Sequence, residues 1–276
     1  MVELTMARLQ EAMLILYAVS LIFYFVDFLN KDTRAQRSAF WLTVIVFAMQ
    51  TGFLLQAIIV TKQIPVLSLY EGVYFFAWIL IMLSLGIQLK YRSSYAGFLL
   101  NIIAFCFMTI HIFAPTQVDN SGVGESLVSE LLFIHITFAI LSYAAFTMAF
   151  VFAILYLLVY NLLKKKKFTS QFNRLPSLQH AMTGMKAAIY TGIPLLLVSL
   201  ILGIQWAYTA LSDWTLLDIK IIGSFLLIIV YSALLFFNRN GKVKATDFAW
   251  ATIFAFVLII INFFLGSKLS QFHFWL

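Results

Sequence analysis

One cysteine stands in 276 residues, Cys106, and it lies inside an apolar stretch. That excludes an internal disulfide, a paired-thiol redox centre and a cysteine-based metal site. Charge is just as scarce, at 11% of residues, against roughly a quarter in soluble domains. Paired carboxylates, a nucleophile beside a base, metal-ligand spacing and a glycine-rich phosphate loop are all missing, so no enzyme is expected. No internal repeat is evident. No pair of Gly/Pro-broken spans recurs in two halves, the pattern that points to a secondary transporter. A small-molecule permease is therefore the weakest reading.

What the chain has is apolar length. Hydrophobic residues make up 63% of it, and the apolar runs fall at 10–29, 39–60, 70–89, 95–113, 130–162, 188–210, 219–237 and 245–266. A helical crossing takes about 20 such residues, and helices satisfy their own backbone in lipid. The expectation is an all-α, polytopic integral membrane bundle of about eight transmembrane helices. It forms a single membrane domain over 1–276, with nothing left for a soluble domain. The fifth run exceeds what a crossing needs, so it tilts or projects. At the start, Glu3 and Glu11 surround Arg8 and no small-residue cleavage signal follows, which reads as a retained helix rather than a signal peptide.

The net charge of +7 points to orientation, not to nucleic acid, because the cations cluster between apolar runs. Fourteen of the eighteen fall on alternate connections: Lys31, Arg34, Arg37; Lys90, Arg92; Lys164 to Lys167, Arg174, Lys186; and Arg239, Lys242, Lys244. Short positive loops stay in the cytoplasm. The chain is thus expected N-out/C-out in a bacterial cytoplasmic (plasma) membrane, with most acidic residues at the outer face.

Two connections stand out. The external one, 206–218, carries Trp206, Trp214 and Asp218, and an aromatic belt anchor accounts for its tryptophans as well as a binding role does. The cytoplasmic one, 163–187, carries Lys164, Lys165, Lys166, Lys167 and Arg174. Attraction to anionic lipid heads, about 1 kcal/mol per basic residue, explains the four lysines. Docking of an acidic cytosolic protein stays open for 168–182, where apolar residues recur at helical intervals.

Of four histidines, His111 and His135 lie near the outer ends of the fourth and fifth spans, His273 in the outer tail, and only His180 on the cytoplasmic side. An imidazole inside a bundle is costly unless hydrogen-bonded or ligating. Paired across helices, two of them suit the axial positions of haem iron. The competing reading is a hydrogen bond to backbone or water; position alone leaves both open for His135 and favours the second for His111. Glu71, at the start of the third span, is placed for solvation and for the helix dipole.

The stretch Leu67-Ser68-Leu69-Tyr70-Glu71 resembles the leucine-tyrosine-glutamate motif of the CcsA/CcmC type cytochrome c assembly proteins. Ala114-Pro115 followed by His135 and Ser142-Tyr143-Ala144-Ala145 resembles their external histidine and the helix after it. Residues 262–269 resemble their final membrane segment. Within the family the likeness runs to the HemX branch, which bacteria encode alongside enzymes of early tetrapyrrole synthesis.

The resemblance implies a haem-handling membrane fold, and a regulatory role that lowers the amount of glutamyl-tRNA reductase, directly or indirectly. It also implies, as the broader alternative, haem transfer in c-type cytochrome assembly. Trp206, Asp218 and Lys220 match the family's external Trp-Asp loop, and His135 matches its first external histidine. Leu211, Thr215 and Leu217 stand where the family has tryptophan, Trp214 where it has tyrosine, and Ile219 where it has proline. The second histidine is expected at Ser270, and His273 is the nearby candidate. The resemblance thus implies His135 and His273 as haem-iron ligands, with Trp206, Trp214, Asp218, Glu71 and His111 around them.

Overall fold

The computed structural model describes residues 2–61, 65–66, 68–90, 94–113, 130–166, 175–211 and 215–269. Eight helices run through them: α1 Val2–Asn30, α2 Thr33–Thr61, α3 Leu69–Lys90, α4 Ser94–Ile112, α5 Glu130–Lys164, α6 Leu178–Ala210, α7 Ile219–Arg239 and α8 Ala245–Leu269. Each is long and apolar enough to cross a membrane, and no strand occurs among the described residues. The chain is a multi-pass membrane protein. Large apolar side chains stay bare on the outside, Ile59 at 75% and Val60 at 74% exposed, as lipid contact allows. The helices group into two compact units, α1–α4 and α5–α8.

Local chemistry sets the helix ends. Lys31 takes a left-handed conformation (φ 57) between α1 and α2, and the Asp32 carboxylate then accepts from the Arg34 N–H at 2.8 Å, capping α2. Gly241 (φ 68) makes the turn from α7 to α8, a conformation that costs glycine little. Asp218 caps α7, its Oδ1 accepting from the Lys220 N–H at 2.9 Å.

The first unit is tied together by a buried polar chain across all four of its helices. The Tyr17 hydroxyl donates to Asn101 Oδ1 (2.9 Å). Asn101 Nδ2 donates to Ser84 Oγ (2.7 Å) and to the Gly97 carbonyl (3.0 Å). Gln88 Nε2 donates to the same Ser84 Oγ (3.0 Å), and the Tyr24 hydroxyl donates to Gln88 Oε1 (2.8 Å). Beside Tyr24 the hydroxyls of Ser20 and Thr43 lie 2.7 Å apart, joining α1 to α2. Lipid tails give helices no hydrophobic reason to associate, so such bonds and close packing hold them together.

In the second unit α5 and α6 form a long antiparallel pair. Positions buried on α6 include Met185, Ile189, Gly192, Leu196, Ser199 and Trp206, with Gly203 in line, a run of three- and four-residue steps. That is the spacing of a seam between two helices inclined by about 20°. Rings from α5 seat on the small residues of this seam: Phe152 on Gly184, Phe146 on Gly192 and His135 on Gly203. Phe146 also stacks on Tyr231 of α7, centroids 4.1 Å apart, and Asn262 of α8 donates to the Tyr143 hydroxyl of α5 at 3.2 Å.

Two expected connections are shorter than the sequence suggested. α6 begins at Leu178, not near 188, because Ser177 Oγ accepts from the His180 N–H (3.2 Å). From there Ala181, Met185 and Ile189 bury one face while Gln179, His180 and Thr183 stay exposed. Polar residues on one side mask such a helix from any average over its residues. At the other end α6 continues through Trp206 to Ala210, closed by the Leu211 N–H donating to the Ala207 carbonyl. Trp206 is therefore helical, and the segment joining α6 to α7 is 211–218. At 1.5 Å per residue, α5 with 35 residues and α6 with 33 are about 50 Å long. A hydrocarbon core of about 30 Å cannot take up the difference by ordinary tilt, so the pair projects beyond it.

Candidate functional site

At the end of the second unit where α5 starts, α6 finishes and α7 starts, Leu132, Trp206 and Ala207 form a buried cluster, with Leu131, Ile136, Ala210 and Leu211 packed on it. Trp206 is only 7% exposed, a core side chain and not a belt anchor. Ile221 of α7 packs on Leu200 of α6 with Ile204 and Leu211, so the three helix ends are held by continuous apolar contact.

His135 lies one turn into α5, beside this cluster. Its Nδ1 is 2.6 Å from the Ser199 carbonyl oxygen, and a carbonyl only accepts, so Nδ1 carries the proton and Nε2 the lone pair. The Ser199 hydroxyl returns a bond to the His135 carbonyl at 2.9 Å. A Cβ at Gly203 would stand 2.6 Å from His135 Cε1 and 2.7 Å from Nδ1, so the ring lies directly on the α6 backbone. Lys220, in the first turn of α7, is near enough for its charge to act on this ring. Asp218 is 5% exposed, and one of its oxygens is engaged in the α7 cap.

The first unit holds a second histidine in the same state. His111 Nδ1 lies 2.9 Å from the Tyr70 carbonyl, which makes it the donor, and its ring sits 4.8 Å from that of Tyr74. Glu71, in the first turn of α3, is near enough to act on His111 electrostatically. The Tyr74 hydroxyl donates to the Gln50 carbonyl (2.9 Å), and Gln50 Nε2 points at Met108 Sδ (3.1 Å). The hydrogen bond expected for His111 is thus present, to backbone.

The candidates therefore divide, Glu71 and His111 in one unit, His135, Trp206 and Asp218 in the other. His273, Trp214, Lys167 and Arg174 lie outside the described residues. Lys164 ends α5, with Lys165 and Lys166 exposed just beyond it. Sequence reasoning passed over Ser199 and Gly203, 64 and 68 residues from the histidine they hold. The one available signal was small residues at 199, 203 and 207, the spacing at which membrane helices approach closely.

A metal site with imidazole ligands commonly fixes the far ring nitrogen on a carbonyl or carboxylate, which orients the ring and raises its basicity. His135 meets that description. With aromatic and aliphatic neighbours from three helix ends, the donor set fits an axial ligand of haem. Among the described residues no group of three or more His, Cys, Asp or Glu could hold a bare metal ion.

Comparison with known proteins identifies the family. Residues 66–273 match the family described as Cytochrome C assembly protein. Protein HemX of Bacillus subtilis (strain 168) is 42% identical over 277 residues, covering 99% of both chains. Protein HemX of Brevibacillus brevis is 37% identical over 260 residues, 94% of this chain and 95% of that one. Cytochrome c biogenesis protein CcsA of Chlamydomonas reinhardtii is 28% identical over 163 residues, 56% of this chain and 44% of that protein.

Proposed function

Since the chain belongs to the cytochrome c assembly protein family, we propose that it is a non-enzymatic, haem-associated protein of the bacterial plasma membrane that lowers the abundance of glutamyl-tRNA reductase. The observation that carries the haem part is the Nδ1 bond of His135 to the Ser199 carbonyl, which directs the Nε2 lone pair to be the ligating atom. His273 is the proposed second ligand. Trp206 and the aliphatic cluster around it exclude water from the ring's neighbourhood, and Asp218 holds the start of α7 in place. The orientation is N-out/C-out, with His135 at the outer face. The regulatory part rests on the full-length likeness to the two HemX proteins and on a cytoplasmic basic surface of Lys164, Lys165, Lys166, Lys167 and Arg174. The reductase acts there directly or through an intermediary.

An absorption spectrum of protein purified in mild detergent and supplied with haem tests the ligand. A Soret band is expected, and His135→Ala should remove most of it; a colourless wild-type protein would end the haem reading. Gene deletion tests the role. Reductase abundance should rise while covalent haem on c-type cytochromes stays normal. The second reading, haem transfer in cytochrome assembly, is favoured by the partial likeness to CcsA, and loss of those cytochromes on deletion would select it instead.

A further inference from the structure

We infer that Ser199 and Gly203 are positioning residues which together decide which nitrogen of His135 ligates, by presenting an uncovered helix carbonyl to its ring. The inference deepens the haem reading and rests on it for its consequence, though not for its geometry. In an α-helix the carbonyl of residue i points along the axis toward residue i+4, where a side chain ordinarily shields it. Four residues after Ser199 stands Gly203. With no Cβ there, the Ser199 carbonyl keeps one lone pair for the helix bond and turns the other outward, since each carbonyl oxygen has two.

The imidazole occupies the space so vacated, within 2.7 Å of where the missing Cβ would be, and reaches the carbonyl at 2.6 Å. The Ser199 hydroxyl donates to the His135 carbonyl and stands 3.1 Å from Nδ1, but the acceptor that fixes the ring is the backbone carbonyl. Gly184 and Gly192 receive phenyl rings on the same seam, which need only space. At Gly203 the ring is polar, and the glycine supplies both the space and the acceptor.

The substitution that separates these roles is Gly203→Ala. It keeps the imidazole but pushes the ring off the carbonyl, because the two atoms nearest the new methyl belong to that ring. Ser199→Ala keeps the backbone carbonyl and removes only the hydroxyl. In wild-type protein without haem, labelled with 15N-histidine, His135 is expected to be the Nδ1-protonated tautomer, identified by its loss in His135→Gln. An Nε2-protonated His135 would overturn the inference, and this measurement does not require haem.

In the haem-loaded proteins, Gly203→Ala should weaken haem affinity by about 10- to 100-fold, the usual loss for an outer partner of a ligand. It should also raise the reduction potential of the bound haem, since an imidazole without its Nδ1 bond donates less to ferric iron. Ser199→Ala should leave both near wild type. Gly203→Ala with unchanged affinity and potential would also overturn the inference. If wild-type protein binds no haem, the haem reading fails while the tautomer result still decides the geometry.

Discussion

Gly192→Leu is expected to unfold the second unit, or to lower its thermal midpoint further than any other single change on the α5–α6 seam. A Cβ at this position would meet Phe146 Cε1 at 2.7 Å, and leucine adds three more carbon atoms beyond it. Phe146 has no room to yield: it is fully buried and lies nearly parallel (12°) on Tyr231 at 4.1 Å. Displacing it parts α5 from α6 and α7 at once. Overpacking of a settled core costs about 1–3 kcal/mol and sometimes more, and here one ring carries three helices. The control is Gly52→Ala on α2, where nothing lies within 4 Å of an added Cβ. Removing a mid-helix glycine there should leave stability unchanged or raise it by up to about 1 kcal/mol. Thermal unfolding in detergent, followed by circular dichroism, compares the two; equal midpoints for Gly192→Leu and wild type would refute the ring-on-glycine account.

The number, order and type of the helices could be read from the apolar runs alone, since length and apolarity are all that a lipid crossing demands. Boundaries were another matter. The first ten residues of α6 have an exposed face of Gln179, His180 and Thr183, and their helix is held by packing on α5 and by the Ser177 cap, neither visible in a run of hydropathy. Trp206 admitted two readings. It stands both in the sixth apolar run, 188–210, and in the aromatic connection 206–218, and the seam periodicity that carries Met185, Gly192 and Ser199 continues straight through it.

The candidate site was legible in its histidine and opaque in its support. A histidine among apolar residues announces itself by cost. The group that meets that cost is a backbone carbonyl, which every residue has, so composition gives no hint of which one serves. Asp218 is the intermediate case. An aspartate just before an apolar run signals a cap, and it does cap α7, which accounts for its burial without recourse to a ligand.

The polar chain of the first unit had no counterpart in the sequence reading, because Tyr17, Ser84, Gln88 and Asn101 are scattered over three helices and each is ordinary by itself. Their joining point is Asn101, and Asn101→Asp is expected to be the most damaging substitution in that unit. The change is nearly isosteric, so it tests polarity and leaves packing alone. It replaces the amide that donates to Ser84 Oγ and the Gly97 carbonyl with an oxygen, aimed at the 3.0 Å position opposite that carbonyl. Two donors become a repulsive acceptor. Tyr17 can still donate to the other oxygen, but Ser84 already donates to Gly97 and cannot easily serve both. A carboxylate in mid-membrane costs about 2.5–3.5 kcal/mol even by the mildest scale, on top of the two lost bonds. Asn101→Ala should be milder, about 1–2 kcal/mol, since membrane side-chain hydrogen bonds are individually modest. Unfolding titrations in mixed detergent would rank wild type above Asn101→Ala and both above Asn101→Asp. An aspartate variant as stable as the alanine one would mean that the polar chain through α1–α4 contributes packing alone.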